Sequence, residues 1–177
     1  MAISPPLMTP RCRLEPFTHS HLTDRYVSWL NDEETMRFSE QRHHHHNLES
    51  CRRYMASFEG SPNYFWAIVE VERGLGHIGN INAYVDERNG VGDIGILIGE
   101  RSAWGRGYGT EAWVRVCEYL LRERNLRKVT GGTLATNKGM LAIMDRAGMQ
   151  EDGRRRRQAV VDGDEVDMVY VALFRDP

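Results

Sequence analysis

The chain has 177 residues, 41% apolar and 27% charged, and its 23 Lys+Arg against 25 Asp+Glu leave a net charge of −2. At roughly 100 to 200 residues per domain, this composition predicts one globular domain with a sizeable core and excludes a disordered chain or a tandem array. A pI near 6.4 argues against a surface-wide nucleic-acid footprint, and the apolar run Met168 to Phe174 is far short of the roughly 20 residues a membrane helix needs.

The opening Met-Ala-Ile-Ser-Pro-Pro has no charged leader followed by an apolar stretch, so a cytoplasmic chain is expected. Cys12, Cys51 and Cys117 are widely spaced and form no C-x-x-C pair, which reads as reduced thiols without a zinc or redox role. Arg11 to Phe17 alternates as a first strand. His21 to Leu30 then sets Leu22, Tyr26, Trp29 and Leu30 on one helical face. Asn47 supplies the cap of a second helix carrying Leu48, Cys51, Met55 and Phe58, stopped by Gly60-Ser61-Pro62-Asn63.

Three strands follow, Tyr64 to Val71, His77 to Val85 and Asp93 to Gly99. They are separated by Arg73-Gly74 and Arg88-Asn89-Gly90, turn chemistry of antiparallel neighbours. After Gly109 the period lengthens to about 3.6, with Trp113, Val116, Cys117, Leu120 and Leu121 in a stripe that runs to Arg124. Lys128 to Ala135 is a strand. Lys138 to Ala147 is a helix with Met140, Leu141 and Met144 inward and Gly148 just past its end. Gln150 to Val160 and Val166 to Phe174 pair through Asp162-Gly163-Asp164. The order βαα-βββ-αβ-α-ββ, without repeat or linker, predicts a single mixed α+β domain over residues 1–177.

Between the third of those middle strands and the longest helix lies Trp104-Gly105-Arg106-Gly107-Tyr108-Gly109-Thr110. Three alternating glycines let the backbone turn tightly and present several N–H donors to a bulky anion at a helix N-terminus. The dipole adds only about 0.3 to 2 kcal/mol, so several charge-assisted N–H bonds carry such a site, with Arg106 as a direct cation. The glycine spacing differs from a dinucleotide fingerprint, and no G-x-x-x-x-G-K-[ST] string occurs. Read without its context, the same loop also serves close strand-to-helix packing.

From Asp93 to Met149 the sequence resembles the GNAT superfamily of acetyl-CoA-dependent N-acetyltransferases. Trp104-x-x-Gly107-x-Gly109 matches the glycines of its [QR]-x-x-G-x-[GA] loop, with Trp104 in place of the usual first residue. Tyr108, Glu111-Ala112, Asn137, Gly148-Met149, Glu151-Asp152-Gly153-Arg154, Asp162-Gly163 and Asp167 are similar to the ribosomal-protein and spermidine acetyltransferase branch. Trp29-Leu30-Asn31-Asp32 resembles a segment of members that acetylate nucleotide-linked amino sugars.

The resemblance implies a mixed central sheet, flanked by helices, whose two parallel strands splay apart around acetyl-CoA. Leu97, Ile98 and Gly99 would offer backbone groups to the pantetheine arm. Trp104, Gly105, Arg106, Gly107, Tyr108, Gly109 and Thr110 would surround the pyrophosphate, and Asn137 would lie near the cofactor arm. It implies direct transfer of acetyl to a primary amine on a small molecule, such as a nucleotide-linked amino sugar, with Trp29 and Asn31 lining the acceptor pocket. A protein N-terminus or a polyamine is the alternative acceptor, and a non-catalytic acyl-CoA sensor is the alternative of another class. Homodimers are a family-level expectation; no metal, nucleic acid or membrane is implied.

An alkyl amine near pKa 10 costs about 1.36 kcal/mol per unit, roughly 4 in all, to deprotonate at pH 7. Asp93 matches the strand carboxylate that acts as base in relatives, although a lone strand acid also fits simple exposure or pairing with an arginine. Glu100 is the second candidate base, or a support of the loop through Arg101 or Arg106. Where many relatives carry a proton-donating tyrosine, this chain has Met144, which has no proton to give. Cys117, in the helix stripe, is a poor nucleophile.

His43 to His46 are adjacent and therefore point in different directions, which argues against a metal site and leaves substrate contact or a proton relay as their functional reading. Arg154 to Arg157 read as a solvated strand edge, one face of which could reach an acidic or phosphate group. A basic-patch nucleic-acid site lacks the aromatic residues that would interleave with it.

Overall fold

The computed structural model describes residues 4–175. Eight strands form one sheet: β1 Leu7–Met8, β2 Cys12–Pro16, β3 Tyr64–Glu70, β4 Gly76–Asp86, β5 Val91–Ile98, β6 Lys128–Leu134, β7 Gln150–Val161 and β8 Asp164–Phe174. Their order across the sheet is β1-β2-β3-β4-β5-β6-β8-β7. Every neighbouring pair is antiparallel except β5 with β6. The expected mixed sheet is therefore present, as are the expected hairpins. Asp86 holds the turn after β4 by accepting the N–H groups of Arg88 and Asn89, while Gly90 takes a φ of 61° there.

The helices divide between the faces. α4 (Tyr108–Glu118) and α5 (Lys138–Arg146) cover one: a Cβ on Gly131 of β6 would lie 2.9 Å from the Trp113 ring and 3.2 Å from Met144 Cε. α1 (Asp24–Leu30), α2 (Glu33–Met36) and α3 (Leu48–Ala56) lie toward the other, where Phe17, Tyr26, Trp29, Cys51, Met55, Phe58 and Phe65 form a second apolar cluster.

Several boundaries differ from the sequence expectation. The single helix expected from His21 to Leu30 is broken, because Thr23 turns its hydroxyl to accept the N–H of Tyr26 and so caps a new start. Only a 3₁₀ turn, His19–His21, precedes it. Strand β1, α2 and the 3₁₀ turn Glu40–His43 have no counterpart in that expectation; each is too short to show a period. Beyond α4 the chain widens into a π turn, Tyr119–Glu123, closed by Arg124 N–H on Tyr119 O at 2.9 Å. Its altered pitch lets Tyr119, Leu120 and Leu121 all be buried.

Candidate active site

The parallel pair sets the geometry. β5 and β6 are in register only over Val91–Asp93 against Lys128–Thr130. Beyond that point β5 stays paired to β4 as far as Ile98 and β6 to β8 as far as Leu134, so the two strands part into a V. Asp93 and Thr130 stand at its apex, and Thr130 Oγ1 donates a 2.6 Å hydrogen bond to Asp93 Oδ1. Asp93 is exposed to solvent and partly desolvated by the protein on its other side. That partial burial raises its carboxyl above the ordinary range, against the downward pull of the Thr130 hydrogen bond.

Backbone parity decides which groups of β5 face the V. Gly99 and Glu100 both donate their N–H to Ile78 O, at 2.9 and 3.0 Å. In an antiparallel ladder such groups alternate, so Leu97 and the Gly99 N–H are turned toward β4, whereas Ile96 and Ile98 face the opening. Of the three residues expected to offer backbone groups, Gly99 thus has its N–H engaged by β4, and Ile96 shares the side of the opening with Ile98. The Ile98 carbonyl is itself engaged, accepting Trp104 Nε1–H at 2.7 Å. Gly99 is required for a different reason: a Cβ there would sit 2.1 Å from the buried Trp29 ring.

At the open end of the V, the loop enters α4 with Gly105 at φ 70° and Gly107 at φ 87°, a region glycine occupies without strain. Gly107 is the N-cap residue and brings no side-chain acceptor to the first turn, whose N–H groups have no intrahelical partner. Gly109 is buried in that turn, where a Cβ would crowd Ile143 at 3.1 Å. Arg11 fixes the loop from behind. Its Nε donates to Glu111 Oε1 at 2.6 Å and its Nη2 to Arg106 O at 2.9 Å, and its guanidinium lies 4.7 Å above the Tyr108 ring. Thr9 completes the clamp through its hydroxyl on Glu111 Oε2. No sequence signal points to Arg11, which lies about a hundred positions from the residues it holds. Arg106 and Trp104 are exposed on the loop, Thr110 is half-buried, and the Tyr108 side chain is packed in the core.

Residues 11–150 match the Acetyltransferase (GNAT) domain. The chain belongs to this family. Over 120 residues this GNAT chain is 28% identical to an uncharacterized N-acetyltransferase p20 of Bacillus licheniformis, a match spanning 67% of the chain and 66% of that relative's length. An acetyltransferase (GNAT family) from Bacillus anthracis superposes with a TM-score of 0.80 at 16% identity, covering 96% of this chain and 98% of that one. A ribosomal L7/L12 alpha-N-protein acetyltransferase in complex with coenzyme A gives 0.83 at 14% identity, covering 97% and 99%. The spermidine N-acetyltransferase from Vibrio cholerae in complex with CoA and spermine gives 0.80 at 13%, covering 93% and 96%. At these identities the likeness to the solved structures is one of fold.

The remaining candidates of this GNAT domain are placed as follows. Glu100 caps the 3₁₀ turn Arg101–Ala103 by accepting from Ser102 and pairs with Arg25. These contacts, Ser102 foremost, lower its carboxyl to about 2 and tie it to the base of the loop. Its partner is Arg25, whereas Arg101 pairs with Asp32 and Glu34. Asn137 caps α5, accepting from Met140 N–H at 3.1 Å. Met144 is buried beneath Gly131 against Trp113. Cys117 is buried and free, and burial pushes its thiol up to about 12.

Trp29 is part of the α1–α3 cluster and meets the His77 ring edge-on at 5.2 Å. Asn31 is clamped to the end of the histidine run: its Oδ1 accepts from His46 N–H at 2.8 Å and its Nδ2 donates to His46 O at 2.9 Å. Both residues therefore have internal partners. Among the described residues, no group of three or more His, Cys, Asp or Glu is placed to hold a metal.

The face of the sheet that carries Asp93 also carries Thr130, Gly132 and Tyr170: a Cβ on Gly132 would meet the Tyr170 ring at 3.2 Å. The long pair β7–β8 thus brings a phenol ring and the strand of four arginines toward the apex. No local pattern in the sequence ties those arginines to Asp93.

Proposed function

We propose that this chain transfers the acetyl group of acetyl-CoA to a primary amine, acting as one N-acetyltransferase domain. The observation that carries this reading is the placement of Asp93, bonded by Thr130, where β5 and β6 part, with the uncapped N-terminus of α4 at the open end of the same V. Family membership supports it, as does the occurrence of coenzyme A in complexes of fold neighbours.

The residues present fit such a coenzyme. Gly105 and Gly107 take the positive φ of a tight turn at a helix N-terminus that favours an anion, and exposed Arg106 adds positive charge. The gap-facing backbone of Ile96 is available to pair with an extended amide chain, and Ile98 offers its N–H. Bound acetyl-CoA supplies the thioester carbon that the amine attacks. Asp93 takes the proton from the incoming ammonium and passes it to solvent through its open side; Thr130 holds the carboxylate in one orientation. Side-chain proton donation to the departing thiolate is not assigned, because Met144 has nothing to donate. The buried Cys117 supports transfer without an acyl-cysteine. Three free, buried cysteines suit the reducing cytoplasm proposed for the chain.

Incubation with acetyl-CoA and a panel of amino sugars, polyamines and peptides tests the reading, with free thiol followed by absorbance and products by mass spectrometry. A mass increase of one acetyl group on an amine supports transfer. Binding of acetyl-CoA without any acetylated amine would instead make the chain a coenzyme-binding module.

A further inference from the structure

The arginine run resolves into four unlike side chains. Arg154 is paired with Glu151 and Asp167, and Arg157 with Glu165. Arg156 is exposed on the edge strand. Arg155 has no carboxylate partner among the described residues; its guanidinium lies 5.2 Å above the Tyr170 ring. The backbone bends here, since the β7–β8 register shifts between Arg155 and Ala159 and Arg157 takes a φ of 51°. Arg155 and Tyr170 border a cavity of about 320 Å³ whose other walls are Thr130, Asp152, Gly153 and Arg154. Asp152 in that wall is neutralised by Lys128 at 2.6 Å, and Arg154 by its two acids. The charge left unmatched in the cavity is that of Arg155, while Thr130 joins the cavity to the carboxylate at the apex.

We infer that the acceptor is a small molecule with two heads: a primary amine delivered to Asp93 and an anionic group, carboxylate or phosphate, received by Arg155 stacked on Tyr170. This deepens the proposed acetyl transfer and rests on it. The strand of Tyr170 lies two interstrand spacings from that of Asp93, about 10 Å at 4.7 to 4.9 Å each, and Tyr170 sits two residues along it from Ala172, the partner of Thr130. A guanidinium on an aromatic face keeps its planar edge free for bidentate contact with an oxyanion. The same cation repels a polyamine, so the cavity selects against an acceptor that is cationic at both ends. Arg155 and Tyr170 lie beyond residues 11–150, the stretch matched to the family domain.

Matched acceptor pairs differing only in the distal charge test this: glucosamine 6-phosphate against glucosamine, and a dipeptide against its C-terminal amide. Acetyl-CoA binding is measured separately by calorimetry. Wild-type kcat/KM should favour the anionic member of at least one pair by on the order of tenfold to a hundredfold, mainly through KM. Which pair shows it separates a sugar phosphate from a peptide carboxylate. In Arg155→Gln that ratio should collapse toward one, Arg155→Lys should restore part of it, and Arg156→Gln, which removes the same charge from the same strand, should keep it. Turnover of both members with equal kcat/KM, or loss of the preference in Arg156→Gln as in Arg155→Gln, would overturn the inference and leave acetyl transfer standing. Acetyl-CoA binding with no amine acetylated would overturn both.

Discussion

Thr130 and Asp93 are the last paired residues of the two parallel strands, and the 2.6 Å hydrogen bond between their side chains spans the point at which those strands separate. Removing the donor with Thr130→Val takes away the interaction that lowers the Asp93 carboxyl while keeping the burial that raises it. A base works only when ionised, so the acidic limb of kcat/KM should move to higher pH. A pH–rate profile of the variant checks this; a limb left where the wild type has it would deny Thr130 any part in tuning the base.

Glu100 should behave in the opposite way. Its carboxyl is held near 2 by Ser102 and Arg25, so it stays ionised across any working range and cannot set that limb. Glu100→Gln should leave the shape of the profile alone and lower thermal stability. With a folded value depressed below the unfolded one, its stabilising contribution is present above about pH 4.5 and is lost as pH falls toward 2. Melting curves of wild type and variant should therefore converge in acid.

Asp93 carries the reverse linkage. Its folded-state carboxyl is raised, so the ionised form destabilises the fold above that value, and the penalty disappears below the unfolded value of 3.8. Asp93→Asn should melt higher than wild type at pH 7 and equal to it below that limit. Active-site groups commonly carry such a cost, and calorimetric melting at the two pH values reads it directly.

Glycine replacements separate strain from collision. Gly105→Ala places a side chain in open space at φ 70°, costing about 1 to 2 kcal/mol of backbone strain. Gly107→Ala adds a 3.1 Å approach to Arg11 Nη2 and should also weaken coenzyme A binding by loosening the clamp on Arg106 O. Gly99→Ala drives a methyl into the Trp29 ring at 2.1 Å and should lose about 1 to 3 kcal/mol or more of fold stability. Urea midpoints and calorimetric affinities distinguish the three.

The glycine loop is legible in the sequence because three alternating glycines at a helix entrance mark a tight turn, and the structure gives two of them positive φ. The apex is legible only in half: Asp93 stands out as a strand acid, but Thr130 becomes visible only once the register of β5 on β6 is known. The resemblance carries Leu97, Ile98 and Gly99 over by position alone, and position does not reveal that the Gly99 N–H is already taken by Ile78 O of β4. Arg11 is illegible as a site residue, and the arginine run is legible as a face that could meet an anion but not as to which of its four side chains does so. Arg11 acts on Glu111 of helix α4 and Arg155 on Tyr170 of the neighbouring strand, through contacts that no local period encodes.

In the proposed mechanism the Asp93 carboxylate at the apex of the V deprotonates the amine of a coenzyme-bound complex. Thiol release by Asp93→Asn at saturating acetyl-CoA, with coenzyme affinity measured on the same preparation, tests it most directly. Unchanged affinity and a fall in kcat/KM of about a hundredfold to ten-thousandfold are predicted. Wild-type turnover in that variant would contradict the claim.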